Sequence, residues 1–119
     1  MGFREHLQSV CQSCEGAIAC TLMGVDGIEI DTHLVGNATL DVKSLLVEYS
    51  GLFRGAREAA EAHEAGGLAE LSIGTEKVVT VARLVSPEYV LVMALEPGGN
   101  LGKARYLLRV TAPKLMAEL

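Results

Sequence analysis

Residues 17–34 read AIACTLMGVDGIEIDTHL and carry the clearest fold signal in the chain. A short apolar run, 17–24, leads into Val25-Asp26-Gly27, and Asp-Gly is a strong hairpin signal because both residues tolerate the positive φ angles of tight turns. Apolar and polar residues then alternate, as in a strand with two unlike faces. The alternating positions are Ile28, Ile30, Thr32 and Leu34 on one side, and Glu29, Asp31 and His33 on the other. The segment predicts two antiparallel strands.

An amphipathic helix is predicted before this hairpin, ending near Gly16. Its apolar positions repeat with the spacing of one helical face. They are Phe3, Leu7, Val10, Cys11 and Cys14.

A long helix is predicted after the hairpin, capped by Thr39 or Asp41 and stopped by Gly66-Gly67. Its apolar stripe comprises Val42, Leu45, Leu46, Tyr49, Leu52, Phe53, Ala56 and Ala60. The interior glycines Gly51 and Gly55 each cost about 1 kcal/mol relative to alanine. With Ala59 they form a row of small residues that suits close packing, either on the protein's own sheet or on a partner helix.

Three β-rich runs, 68–73, 77–85 and 89–95, follow with short turns between them. Asn100 is placed to cap a last helix, which contains Pro113 and is expected to kink there. The order is helix, two strands, long helix, three strands, helix. The sequence therefore predicts one α+β domain, residues 1–119, built on a five-stranded antiparallel sheet.

Composition excludes several classes of function. Half of the 119 residues are apolar and mean hydropathy is +0.31, which indicates a folded domain. The net charge is −5 and the ten Lys and Arg look scattered along the chain, so nucleic acid is not an expected partner. Apolar runs fall short of the roughly 18–20 residues that span a bilayer, and the first residues are unlike an export signal. We expect a cytoplasmic protein without membrane insertion.

The cysteines are the first candidates for chemistry. Cys11 and Cys14 have the spacing of a redox or metal pair, and Cys20 is near them. A reactive pair would sit at the start of a helix, whereas these thiols lie at the end of one. The histidines His6, His33 and His63 are dispersed and predicted to face solvent. We expect reduced, buried thiols and no metal site, with a small metal or thiol protein as the less favoured alternative.

Other motifs with catalytic precedents fail on inspection. Gly98–Lys103 lies between a strand and a helix, but Pro97 and Ala104 break the phosphate-loop pattern. The carboxylates Asp26, Glu29 and Asp31 are expected to be solvated, with Glu29 and Asp31 on one face of their strand. Gly-x-Ser-x-Gly is absent. We predict no catalytic residue and no cofactor.

The element order and two motifs resemble the roadblock/LC7 family, closest to its bacterial MglB-like branch. The motifs are Met23-Gly-Val-Asp-Gly-Ile28 and Gly99-Asn-Leu-Gly-Lys-Ala-Arg-Tyr-Leu-Leu108. The resemblance implies a profilin-like α-β-β-α-β-β-β-α fold. It also implies a homodimer whose long helices lie side by side and whose third strands pair, which extends the sheet to ten strands. The implied dimer interface comprises Tyr49, Gly51, Leu52, Gly55, Ala59, Leu68, Glu70, Leu71, Ser72 and Ile73.

The resemblance also implies a function. MglB-like proteins bind a Ras-like GTPase of the MglA type across the helix pair and promote GTP hydrolysis by ordering the GTPase active site, without donating a catalytic side chain. Candidate contacts on this chain are the charged residues Lys43, Glu48, Arg54, Arg57 and Glu58. The other interpretation is a simply solvated helix face, with pairs four residues apart such as Arg54–Glu58 and Arg57–Glu61. An alternative function is a nucleotide-independent adaptor similar to the dynein-associated roadblock chains.

Overall fold

The computed structural model describes residues 2–36 and 41–119. Within them, three helices and five strands follow in the predicted order. They are α1 (Phe3–Gln12), β1 (Ala17–Gly24), β2 (Glu29–Leu34), α2 (Val42–Ala62), β3 (Glu70–Gly74), β4 (Val79–Ser86), β5 (Tyr89–Leu95) and α3 (Leu101–Met116). In these ranges, no helix is long and apolar enough to cross a membrane.

The sheet is antiparallel with strand order β2-β1-β5-β4-β3. β5 therefore occupies the centre between β1 and β4, and β2 and β3 form the two edges. Helices α1 and α3 pack on one face and α2 packs on the other, because alternate strand residues point to opposite faces. The predicted α+β class and strand count are confirmed.

Each face of the sheet has its own apolar core. Leu22, Leu91 and Met93 lie under α1 and α3, and Met23, Val90 and Val92 lie under α2. The central strands are buried on both faces, which explains their nearly continuous apolar sequences.

The Asp-Gly hairpin forms as predicted. The Gly24 N–H donates to the Ile28 carbonyl at 2.9 Å, and Gly27 adopts φ +92°. The Ile28 N–H donates to Asp26 Oδ1 at 3.1 Å, which closes the turn with a side chain.

The expectation that Glu29 and Asp31 share one face is wrong. An irregularity in the pairing between Leu22 and Met23 leaves Glu29 opposite Met23 and Asp31 opposite Leu22. A bulge of this kind shifts the side-chain alternation by one residue. Glu29 consequently points to the α2 side and contacts Lys43, whereas Asp31 points to the α1 side and contacts Arg4.

Several boundaries differ from the prediction. Helix α1 ends at Gln12, and α2 ends at Ala62 with Glu64 in the left-handed region at φ +58°, ahead of the glycines. Strand β3 starts at Glu70, so Leu68 precedes it. Asp41 caps α2 by accepting from the Ser44 N–H at 3.2 Å, and the alternative cap Thr39 lies outside the described residues.

The glycine-rich segment before α3 packs against the turn between α1 and β1. The Asn100 N–H donates to the Glu15 carbonyl at 3.0 Å, and the Glu96 N–H donates to the Gly16 carbonyl at 2.8 Å. A Cβ on Gly16, which has φ +86°, would lie 2.5 Å from Gly99 Cα. The glycines are thus required by backbone-to-backbone packing, and Asn100 caps α3 by accepting from the Lys103 N–H at 3.0 Å.

Candidate functional site

The outer face of α2 is the first part of the candidate site. Val42, Leu46 and Phe53 hold the helix to the sheet through their side chains. The backbones of α1 and α3 lie close to the sheet backbone, whereas the backbone of α2 lies farther from it. Two apolar side chains of the helix stay exposed: Leu52 is 55% exposed, and Val47, beside the β1–β2 turn, is 43% exposed. The helix therefore presents apolar surface in two directions.

The row of small residues lies on this outer face. Among the residues that the structure describes, a Cβ on Gly55 would meet nothing within 4 Å, and one on Gly51 would meet only the Arg54 guanidinium at 3.6 Å. Ala59, one turn further along, is exposed. Packing on the protein's own sheet therefore does not explain these glycines, and that interpretation is wrong.

The β3 edge is the second part of the site. Leu71 and Ile73 point to the α2 side, where they line a cavity of about 10 Å³ together with Tyr49 of α2. Thr80 Oγ1 is buried beside it without a hydrogen-bond partner among the described residues. The edge of β3 and the helix α2 thus adjoin and form one continuous surface.

The predicted interface residues divide between the two faces of β3. Leu71 and Ile73 are half-buried and adjoin α2, whereas Glu70 and Ser72 point to the α3 side. Glu70 is already engaged by Arg83 and Arg105. Leu68 is half-buried ahead of the strand and packs on the α2-side core.

Three of the five charged candidates on α2 have partners within the chain. Lys43 Nζ lies 3.4 Å from Glu29 Oε2. Arg54 donates to the Val25 carbonyl at 2.5 Å and to Ser50 Oγ at 3.4 Å, rather than pairing with Glu58 as the helical spacing suggested. Such pairs fix the side chains and leave less of their charge for a partner.

Arg57 and the two glutamates complete the charged set. Arg57 donates to the Pro87 carbonyl at 2.6 Å and pairs with Glu61 at 3.6 Å, as its spacing predicted. Together with Arg54 it ties the middle of α2 to the tips of both hairpins at one end of the sheet. Glu48 and Glu58 are exposed on the outer face.

The three thiols are buried in the core under α1 and α3, as expected. A hydrogen bond between the thiols of Cys11 and Cys20 lowers the pKa of Cys11. The same hydrogen bond, together with burial, raises the pKa of Cys20 well above its ordinary value. Burial also raises the pKa of the Cys14 thiol, which donates to the Asn100 carbonyl at 3.5 Å. The neutral thiols of Cys14 and Cys20 are poor nucleophiles and metal ligands.

The prediction that all three histidines face solvent is wrong for His6. It is 9% exposed on α1, with Nε2 3.5 Å from Glu118 Oε2 after the last helix. The sequence could not indicate this contact, because it joins the two ends of the chain. His33 is half-buried and His63 is exposed. Within the described ranges no three His, Cys, Asp or Glu side chains form a group suited to a metal ion.

The structure also brings together basic residues that looked scattered in the sequence. Arg83, Arg105 and Arg109 line one groove with Glu70 on the α3 side of the sheet. Arg105 and Arg109 are four residues apart, on one face of a helix that has no acidic residue between Leu101 and Met116. That pattern was visible in the sequence, but the contribution of Arg83 from β4 was not.

Comparisons with solved protein structures support the fold described above. No family model and no curated protein matches the chain. Among solved structures, MglC from Myxococcus xanthus is 53% identical over 100% of both chains, with a TM-score of 0.73. An MglB with a tetrameric arrangement is 15% identical, covers 96% of this chain and 85% of its own, and superposes with a TM-score of 0.84.

A third structure supplies the fold family. A roadblock/LC7 domain from Streptomyces avermitilis is 14% identical over 98% of this chain and 99% of its own, with a TM-score of 0.77. At such identities the second and third similarities show the fold alone. The first, at 53% over the full length, shows kinship.

Proposed function

The chain belongs to the roadblock/LC7 family, in its MglB-like bacterial branch, and from that premise we propose that it is a homodimeric regulator of a Ras-like, MglA-type GTPase. In this proposal the whole chain, 1–119, is one non-catalytic domain that works in the cytoplasm. It binds the GTPase through the helix pair of the dimer and promotes GTP hydrolysis by ordering the GTPase's own catalytic groups.

The observation that carries the proposal is the outer face of α2. Gly55 has open space around it, Gly51 has almost as much, and Leu52 beside them is 55% exposed. Two interior glycines cost about 2 kcal/mol of helix stability together, and no packing contact among residues 2–36 and 41–119 offsets that cost. Close approach of a second helix gives them a physical role, because small side chains let two backbones pack at short distance.

The edge of β3 supports the same interface. An unpaired edge strand with half-buried apolar side chains, such as Leu71 and Ile73, tends to pair with another chain. Two-fold pairing of β3 would bring the two α2 helices side by side on one face of the joined sheet, in the symmetric arrangement of an isologous interface. The tetrameric arrangement of an MglB with the same fold is consistent with self-association through such surfaces.

The charges proposed to meet the GTPase are those that the protomer leaves exposed. Glu48 and Glu58 are exposed on α2 and favour a basic surface on the partner. Lys43, Arg54 and Arg57 are proposed to contribute mainly by holding the helix and hairpins in position, since each already has an internal partner.

The test is binding of the purified chain to a cognate MglA-type GTPase loaded with GDP or with a non-hydrolysable GTP analogue. We expect a complex that favours the GTP-like state, and faster hydrolysis of GTP when the chain is added. Glu58→Lys should weaken binding about fivefold or more, because it places a like charge at the contact. Glu76→Lys makes the same charge change in the exposed β3–β4 turn and serves as the matched control.

Each other outcome has a definite meaning. Absence of a complex in both nucleotide states would overturn the GTPase proposal. Equal binding in both states with no change in hydrolysis would instead support a nucleotide-independent adaptor. Equal effects of Glu58→Lys and Glu76→Lys would show that α2 is not the contact.

A further inference from the structure

A groove of about 330 Å³ lies on the α3 side of the sheet, on the face opposite α2. Arg83 of β4 and Arg105 and Arg109 of α3 line it, with Glu70 of β3 between the first two. Arg83 Nη1 lies 3.9 Å from Glu70 Oε1, and both Arg105 Nε and Nη2 donate to Glu70 Oε2, the former at 2.9 Å. Two guanidinium groups therefore contact a single carboxylate, and a third lines the same groove.

The surroundings of the groove are also basic. Helix α3 carries four of the chain's ten cations and no acidic residue, although the whole chain has a net charge of −5. Those cations are Lys103, Arg105, Arg109 and Lys114. A groove with charge opposite to that of the molecule concentrates positive potential and attracts anionic groups selectively.

The groove has unused binding capacity. Glu70 is 17% exposed and sits between Arg83 and Arg105, but Arg105 is still 55% exposed. Arg109 lies over the Tyr106 ring, 5.7 Å from its centroid, and that ring is itself 50% exposed. Gly102 lines the groove without a side chain, so a backbone can approach α3 closely there. Each guanidinium has five N–H donors, of which these contacts use few.

We propose that this groove binds an acidic segment of a partner protein, with partner carboxylates on Arg105 and Arg109 and partner aliphatic groups against Tyr106. Glu70 shows how a carboxylate binds in this groove, because planar guanidinium groups and carboxylates match in geometry and form charge-assisted hydrogen bonds. The proposal does not rest on GTPase binding, since the groove and the outer face of α2 lie on opposite faces of the sheet.

The arrangement favours a peptide over a small anion or a nucleic acid. The two freest guanidinium groups are one helical turn apart, about 6 Å along α3, which suits successive carboxylates better than one phosphate group. An exposed half of a tyrosine ring adds apolar contact that a free anion does not use. Nucleic acid would meet a chain whose overall charge repels it.

The experiment measures binding of fluorescein-labelled hexaglutamate to the full chain by fluorescence anisotropy at low ionic strength, with hexaglutamine as the uncharged probe. We expect hexaglutamate alone to bind, and the affinity to fall as salt is raised because charges at an exposed groove are screened. Arg109→Gln should weaken binding about fivefold. Lys114→Gln removes the same charge from the same helix outside the groove and should have little effect.

Three results would overturn the proposal. The first is no difference between hexaglutamate and hexaglutamine. The second is an equal loss in Arg109→Gln and Lys114→Gln, which would mean that only net charge matters. The third is displacement of hexaglutamate by equimolar inorganic phosphate or by a single-stranded oligonucleotide, which would assign the groove to those ligands. The solution mass of each variant, measured in parallel, separates these results from a failure of the proposed dimer.

Discussion

Gly55→Leu tests the proposed helix contact by the sign of its effect. In the isolated protomer a Cβ at this position meets nothing within 4 Å, so the side chain enters solvent without a clash. Leucine is about 0.8 kcal/mol more favourable than glycine in a helix interior, and the protomer alone should become more stable by about that amount. If a second α2 packs there, the same side chain overfills the contact at a cost of about 1–3 kcal/mol.

The dimer dissociation constant then rises about 5- to 150-fold, since each 1.4 kcal/mol is a factor of ten. The assay combines light scattering over a range of concentrations with urea unfolding of the same samples. We expect the variant dimer to dissociate at a higher protein concentration than the wild-type dimer. At low protein concentration, the variant monomer should unfold at a higher urea concentration than the wild-type monomer.

The control is Gly102→Leu, in the first turn of α3. There a Cβ meets only Asn100 Oδ1 at 3.8 Å, and the residue is exposed on a helix far from α2. It should leave the solution mass unchanged. If Gly55→Leu behaves in the same way, or if the wild-type chain is a monomer at all concentrations, the small-residue row is not an interface and the reasoning is refuted.

Two further predictions concern the protomer itself. Gly16→Ala should lower the free energy of unfolding by about 2–5 kcal/mol, because it adds left-handed backbone strain and a clash with Gly99. Gly66→Ala, at φ +89° with open space around it, should lower it by about 1–2 kcal/mol, from the strain alone. Equal losses of the two variants in urea unfolding would contradict the packing argument. The hydrogen bond from Arg4 lowers the pKa of Asp31 below 3.8, so this pair stabilises the fold above that pH and the contribution is lost as pH falls through the lower folded value. Arg4→Gln should raise the pKa of Asp31 in an NMR titration, and an unchanged value would show that the pair does not form in solution.

The sequence predicted an element well where the residues that form the sequence motif also make the hydrogen bonds of that element. The Asp-Gly turn and the Asn100 cap are examples, because each is completed by hydrogen bonds within three or four residues. The end of α2 was less predictable. A non-glycine residue, Glu64, takes the left-handed conformation before the glycines are reached.

The candidate site was predictable only in part. The spacing of Gly51 and Gly55 was evident in the sequence, but it fitted packing on the protein's own sheet as well as packing on a partner helix. The structure decides between them, because the sheet lies on the other side of the helix. The arginine groove shows the opposite case. Its members come from β3, β4 and α3, and strand order, not sequence distance, brings Glu70 and Arg105 into contact.

The sequence by itself determined the order and type of the elements and the resemblance to the roadblock/LC7 family, because turn chemistry and hydrophobic period are local properties of the chain. The tertiary structure alone decided the rest. It decided which strands are edges, which face of α2 is free, that His6 is buried against Glu118, and that a shifted register separates Glu29 from Asp31. Those outcomes depend on how distant segments pack, and local spacing carries no information about that.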